Sequence, residues 1–386
     1  MKNFFKIILS YLLISFNTYV FSIEDNDSVL KIGVLAPFTG EFKDIGKSVL
    51  YSVNLALNDI GDESIKVYPK DSGSKKEKIL KACEEFRNEG IKVVIGPIDS
   101  TFLTELNKFE DLIFLSLSNI DSNFKNNVIM MGINLESQLI TIKKFIEKRD
   151  KNKTVILYPN NIYAKYVEKN LSKINFKNKK LFKYSEDPKT LTSQIEKLTN
   201  YKQRKINLET RIKKLEKSDL NKDLKELNNL KQKHTLGKVN FDNIIIIDFG
   251  SGLKSVLTSL AYTDVLEKDV LILTTNQWFD DTILGETSLT NFYFPSINYG
   301  NLKEYKKKFF SFYEYKPNEI TILSYDSVGL IYYLWKKNIM IKSSKDFNIK
   351  NDIKGKIGSF KISGNKIIQK LDMYSVSNNA FVKGSF

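Results

Sequence analysis

With a single cysteine, Cys83, and a single histidine in 386 residues, the chain cannot assemble a zinc site or a Cys/His nucleophile pair in the usual way. The side chains that remain available for chemistry sit in short polar loops, each directly after an apolar run. They are Thr39 with Gly40 and Phe42, Asp99-Ser100, Ser118-Asn119, and the stretch Asn276 to Asp281, which contains Gln277, Trp278 and Asp280. Hydroxyls, amides, carboxylates and aromatic faces in such places hold a ligand by hydrogen bonds and stacking. No pair of carboxylates can be located for acid and base work, so the reading is of a non-enzymatic protein with no metal and no cofactor. Cys83 falls in a helical pattern, Glu77 to Glu89, as a small buried hydrophobe.

The elements that place these loops alternate with regularity. Val29 to Ala36 is a buried strand, followed by a polar loop and by an apolar-periodic helix from Val49 to Leu57. This is the opening of a parallel α/β sheet, in which the loop after a strand lies at the carboxyl end where open sheets bind ligands. Further strands are expected at Ile65 to Lys70, Ile91 to Pro97, Leu112 to Leu117 and Val128 to Met131, with helices at Lys75 to Glu89 and Leu135 to Lys148. The rhythm restarts at Val155 to Tyr158 and continues through Tyr163 to Ile174, Asn243 to Asp248, Leu253 to Tyr262 and Val270 to Leu273. Helices at Leu302 to Tyr313 and Ile320 to Trp335, then strands around Gly358 to Ile362 and Lys366 to Tyr374, finish the chain. A restart of this kind predicts two lobes, each a parallel sheet flanked by helices. Residues 29–149 form lobe 1, with 297–345 returning to it; residues 150–296 form lobe 2; residues 346–386 close the region between them. The chain crosses about three times, and Asp326 ties the lobes by a hydrogen bond.

Two segments stand outside this rhythm. Residues 1–22, with Lys2 and Lys6 before an apolar stretch that Ser10, Ser15, Asn17 and Thr18 interrupt, read as a signal peptide cleaved near Ser22 and not as a membrane anchor, so the mature protein is expected to be exported to the periplasm. Residues 189–236 lack Gly and Pro and place Leu191, Ile195, Leu198, Leu208, Ile212, Leu215, Leu220, Leu224 and Leu227 at helical spacing. An inserted helical hairpin is expected, with Ser218-Asp219 capping its second half. The formal charge of +15 is spread over nearly every element and forms no basic stripe with interleaved aromatics. It therefore reads as a lysine-rich surface and not as a nucleic-acid interface.

Ile32 to Gly40, Val94-Ile-Gly-Pro97, Leu115 to Asn119, Thr275 to Trp278 with Asp280, and Ser324 to Val328 occur in an order that resembles the type I periplasmic-binding-protein family, the leucine/isoleucine/valine-binding group. Together with the Lys/Glu-rich helix pair ahead of Asp242, they look most like its penicillin-binding-protein activator branch. The resemblance implies that Ser100 and the Ser118 amide face a ligand carboxylate and that Tyr163 covers the ligand. It also exposes two departures: Ile120 stands where a hydroxyl is expected, and Gln277 stands where the family places an acid for the ligand's ammonium, with Asp280 or Asp281 as substitutes. A zwitterion with an unpaired ammonium would pay several kcal/mol in a closed cleft. The broken ammonium site and the helix pair favour an activator-type regulator that contacts a cell-wall synthase; the alternative is the solute-binding component of an ABC importer for amino acids or related solutes that a membrane permease reads. Either involves a small molecule in the interlobe cleft, and neither involves nucleic acid or stable membrane insertion.

Overall fold

A computed structural model describes residues 29–385 except 121–123, 219, 266–267, 285–291 and 339. The expected signal peptide and Asp219 lie outside the described residues. The first lobe is laid down by β1 (Leu30–Ala36), α1 (Lys43–Ile60), β2 (Ile65–Asp71), α2 (Lys76–Asn88), β3 (Val93–Ile95), β4 (Ile113–Ser116) and β5 (Val128–Met130). The chain then forms α3 (Leu135–Glu147), β6 (Thr154–Pro159), α4 (Ala164–Leu171), β7 (Lys179–Tyr184), α5 (Pro188–Leu198), α6 (Tyr201–Leu215), α7 (Asn221–Leu230), β8 (Asn243–Ile246), α8 (Gly250–Tyr262), β9 (Leu271–Thr274) and β10 (Tyr293–Ser296). After these come α9 (Tyr299–Tyr313), α10 (Ile322–Asn338), β11 (Ile353–Gly355), β12 (Gly358–Ser363), β13 (Lys366–Gln369), β14 (Asp372–Ser377) and β15 (Ala380–Lys383).

Two sheets result, in the orders β11-β12-β13-β5-β4-β3-β1-β2 and β15-β14-β10-β9-β8-β6-β7. The strands from β1 to β10 pair in parallel within their sheets, whereas β11, β12, β14 and β15 add antiparallel edges, so both sheets are mixed. Central strands such as β1 and β8 read as nearly continuous apolar runs because helices cover both faces of the sheet. The edge strand β7, Lys-Lys-Leu-Phe-Lys-Tyr, is exposed along most of its length, which is why the sequence reading passed over it.

The chain passes between sheets after β5, after β10 and after β13. The expected single strand Lys366 to Tyr374 is in fact two strands of different sheets, broken at Lys370-Leu371 where the chain crosses. Helix α3, grouped above with lobe 1, packs on the second sheet: Leu139, Ile142 and Phe145 share a core with Ile156, Tyr158 and Val167. Helices α9 and α10 return to lobe 1, where Tyr305 donates to Ser52 Oγ at 2.9 Å and Ser52 Oγ donates to the Thr321 carbonyl at 2.6 Å.

The segment 189–236 divides in two. Asp187 caps α5 by accepting from the Thr190 amide at 2.9 Å, and Leu191 and Ile195 of this helix enter the main core. Helices α6 and α7 instead pack on each other through a separate small core of Leu208, Leu215, Leu227 and Leu230. The Arg211–Glu226 fork ties them together, with N–O distances of 2.9 and 2.7 Å.

Asp326, on α10, does not join the lobes. Its buried carboxylate accepts from the amides of Lys356 (2.7 Å) and Ile357 (2.9 Å), both in the β11–β12 turn of the first sheet. Burial outweighs those two donors and pushes its pKa up to about 6. A folded-state value above the unfolded one means that this group favours folding most below about pH 4, and that its contribution is lost as pH rises through about 6. The stability difference between the wild type and Asp326→Asn should therefore shift toward the wild type between pH 7 and pH 4 in urea denaturation; a flat difference across that window would contradict the assignment.

Candidate functional site

Within each sheet the parallel strands point their carboxyl ends the same way, and strand order reverses between β1 and β3 in the first sheet and between β6 and β8 in the second. Such switch points open a crevice because the following helices leave on opposite faces. In the second lobe a cavity of about 650 Å³ occupies this place, lined by the loops after β6, β7 and β8, with Asn119 and Ile120 of lobe 1 opposite. Tyr166 of α4 spans the gap, its hydroxyl donating to the Asn119 carbonyl at 3.0 Å.

Asp248 stands at the centre of the lobe 2 wall. One carboxylate oxygen accepts from the Phe249 amide at 2.8 Å, and the other accepts from the Tyr184 hydroxyl. Burial, with a smaller push from Glu186, raises the Asp248 carboxyl above its usual range. Gly252 is required beside it, since a Cβ there would lie 2.2 Å from Asp248 Oδ2. Tyr163 lines the same cavity, and burial raises its phenol. Glu186 accepts from Asn161 Nδ2 at 2.9 Å. Phe249, in the cavity lining, is 67% exposed. Gln277 lies behind this wall, its Nε2 donating to the Thr275 carbonyl at 2.9 Å and, at 3.4 Å, to the Asp248 carbonyl.

The lobe 1 wall has a smaller hollow of about 230 Å³ at its own switch point, lined by Phe42, Ile98, Asp99 and Phe102 among others. Its polar groups are largely engaged with one another. Thr39 Oγ1 donates to Asp71 at 2.6 Å and accepts from Lys78 at 3.0 Å, and the amides of Phe38, Thr39 and Gly73 all donate to Asp71 Oδ1. Ser100 opens a 3₁₀ turn of only three residues, Ser100–Phe102, and Asp99 accepts from the Thr101 amide at 2.9 Å. So short a turn has no stack of aligned amides to offer an anion. Ser118 is buried; its amide donates to Ser116 Oγ at 3.2 Å and its hydroxyl accepts from the Ile120 amide at 3.1 Å.

Of the nine residues singled out in the sequence, Asn119 and Tyr163 meet across the main cavity, while Phe42 lines the smaller hollow with Thr39 and Ser100 beside it. Trp278 and Asp280 line neither of these cavities. Trp278 packs on the core, and Asp280 caps a 3₁₀ turn by accepting from the Thr282 amide at 2.9 Å. The sequence reading missed Asp248, Tyr184 and Glu186. Asp248 carried a usable signal, being the first acidic residue after an apolar strand, as Thr39 is the first hydroxyl after β1. Tyr184 and Glu186 were hidden because β7 itself was not recognised. A cavity of about 670 Å³ between α10 and β11 lies away from the parallel strands' carboxyl ends. Among the described residues no group of three or more His, Cys, Asp or Glu side chains is placed to hold a metal, and no helix is long and apolar enough to cross a membrane.

The fold has counterparts in known structures. The chain is similar to a putative branched-chain amino acid ABC transporter protein from Rhodospirillum rubrum, with TM-score 0.67 and 10% identity over 92% of this chain and 99% of that one. It is similar to the C-domain of LpoA from Haemophilus influenzae, described as a regulator of PBP1A, with TM-score 0.61 and 14% identity over 92% and 100%. It is also similar to a branched-chain amino acid transporter substrate-binding protein from Streptococcus pneumoniae in complex with isoleucine, with TM-score 0.54 and 16% identity over 92% and 100%. The fold is that of a type I periplasmic binding protein. The sequence profile of the family described as periplasmic binding protein matches residues 29–177. No curated protein matches the chain by sequence. At these identities the structural likeness is one of fold, and the fold leaves the choice of ligand to the loops.

Proposed function

We propose that the protein is an exported solute-binding component of an importer, and that it takes a small molecule between its lobes. The observation that carries this reading is the cavity of about 650 Å³ at the switch point of the second sheet, with the part-buried Asp248 carboxylate in its wall and the exposed Phe249 in its lining. A solute held there bridges the lobes, and their closure is what a membrane permease would read. Among the solved structures of this fold are branched-chain amino acid transporter proteins, which supports a transport role. The α6–α7 pair and the likeness to the LpoA domain favour a second reading, that of a regulator of a cell-wall synthase touching its partner through that pair.

A thermal-shift screen against amino acids, amines, short peptides and cell-wall fragments separates the two. A solute at 100 times its dissociation constant adds about 2.7 kcal/mol to the folded state, and the response should fall in Gly252→Ala, where the new Cβ displaces the Asp248 carboxylate. A protein that responds to no solute in the panel would overturn the importer reading and leave the regulator.

A further inference from the structure

Building on the solute-binding reading, we propose that the second-lobe cavity takes a small organic cation, a primary amine or quaternary ammonium, that carries no carboxylate. The sign of the cavity is the first reason. The chain has 60 Lys and Arg against 45 Asp and Glu, yet no Lys or Arg is among the residues lining this cavity, whereas Asp248 and Glu186 both are. So acidic a recess in so basic a protein concentrates cations relative to the surrounding surface.

The second reason is capacity. A carboxylate has about four lone-pair sites, and Asp248 spends two, on the Phe249 amide and the Tyr184 hydroxyl. Both partners hold the group in place without neutralising it. The Tyr163 and Tyr184 rings and the exposed Phe249 stand around it, and aromatic faces attract a desolvated ammonium.

The third reason is what the opposite wall lacks. A zwitterionic ligand needs donors for its carboxylate, and in lobe 1 several of the loop amides at the strand ends are already used internally. The Phe38, Thr39 and Gly73 amides go to Asp71, the Thr101 amide to Asp99, the Ser118 amide to Ser116 and the Ile120 amide to Ser118. In lobe 2 the Asp248 carboxylate takes the amide of Phe249, the residue that precedes α8, and lies against Gly252 in that helix's first turn, so an anion at this helix end would lie beside an acid. In this cavity a ligand carboxylate would lie near Asp248 and Glu186 with no Lys or Arg in the lining to offset them.

The test is isothermal titration of the full mature chain with choline, putrescine and a matched trio: 3-methylbutylamine, leucine and 4-methylpentanoate. The trio shares one branched alkyl group and differs in carrying an amine alone, both charges, or a carboxylate alone. We expect binding of choline, putrescine or 3-methylbutylamine, at least tenfold tighter than leucine, and none of 4-methylpentanoate. Asp248→Asn should weaken the amine at least tenfold. Glu186→Gln, an exposed position where folding is not at risk, should weaken it about threefold. Leucine binding as tightly as the amine would overturn the inference while leaving the solute-binding reading intact. Amine binding that neither variant weakens would overturn the assigned site. No response to these probes or to the wider solute panel would overturn both.

Discussion

Replacing Arg204 with alanine should cost roughly 3–5 kcal/mol of folding stability, because a buried guanidinium that satisfies several buried acceptors leaves all of them unpaired when it goes. Arg204 sits in the first turn of α6 and is nearly inaccessible. Its Nε donates to the Gly237 carbonyl at 3.1 Å, Nη1 to the Thr263 carbonyl at 3.0 Å, and Nη2 to Thr235 Oγ1 at 2.7 Å and the Asp264 carbonyl at 3.0 Å. One side chain thus fastens the start of α6, the returning chain after α7 and the turn after α8. Among the described residues no carboxylate touches the guanidinium; the Asp264 carboxylate is linked to it by hydrogen bonds through Thr235, whose hydroxyl donates to Asp264 Oδ2 at 2.6 Å. Arg204→Lys keeps the charge but has no planar fork to reach these points together, so it should recover less than half of the loss. Urea denaturation measures both. A cost below about 1 kcal/mol for the alanine variant would mean that water replaces the guanidinium freely and that the α6–α7 pair is only loosely attached.

How much of this was legible in the sequence depended on where each signal lay. The central strands announced themselves because burial on both faces forces an apolar run, as in Asn243 to Ile246, and the alternation with helices then gave the two lobes. The Lys-rich edge strand β7 carried no such signal, since an edge faces water and repels further pairing through its charges. Register along a continuous pattern was equally hidden: nothing in Lys366 to Tyr374 marks the place where the chain leaves one sheet for the other. At the site, the rule that ligand groups follow strands found Thr39, Ser100, Ser118 and Asn119. It could not reveal that Asp71 already holds the Phe38 and Thr39 amides, because these partners become neighbours only on folding; Asp99 and Ser116 hold amides just two residues on, a local pairing that the rule does not weigh. Asp248 was readable by the same rule, but as the last residue of a long apolar run it was counted as strand.

The Asn276 to Asp281 loop, read in the sequence as a cleft surface, leads to the second large effect. Trp278 and Phe279 both adopt left-handed backbone angles, φ +49° and +56°, a conformation that costs a non-glycine residue of order 1 kcal/mol or more. What holds it is the Phe279 ring, 2% exposed, against Tyr299 (4.5 Å between centroids), Tyr374 (4.8 Å), Phe381 (5.2 Å) and Phe294 (5.7 Å). Phe279→Ala should therefore cost about 3–5 kcal/mol through the cavity it leaves, while keeping the backbone strain. Phe279→Gly loses the same ring but tolerates the positive φ, so it should come out more stable than the alanine variant by about 0.5–1 kcal/mol, a reversal of the order found at ordinary core positions. The same packing holds Gln277 two residues earlier, whose side chain donates to the backbone carbonyl of Asp248. Both variants should then weaken ligand binding in titrations at temperatures where they remain folded. Unchanged binding would show that Asp248 is held by Tyr184 and the start of α8 alone.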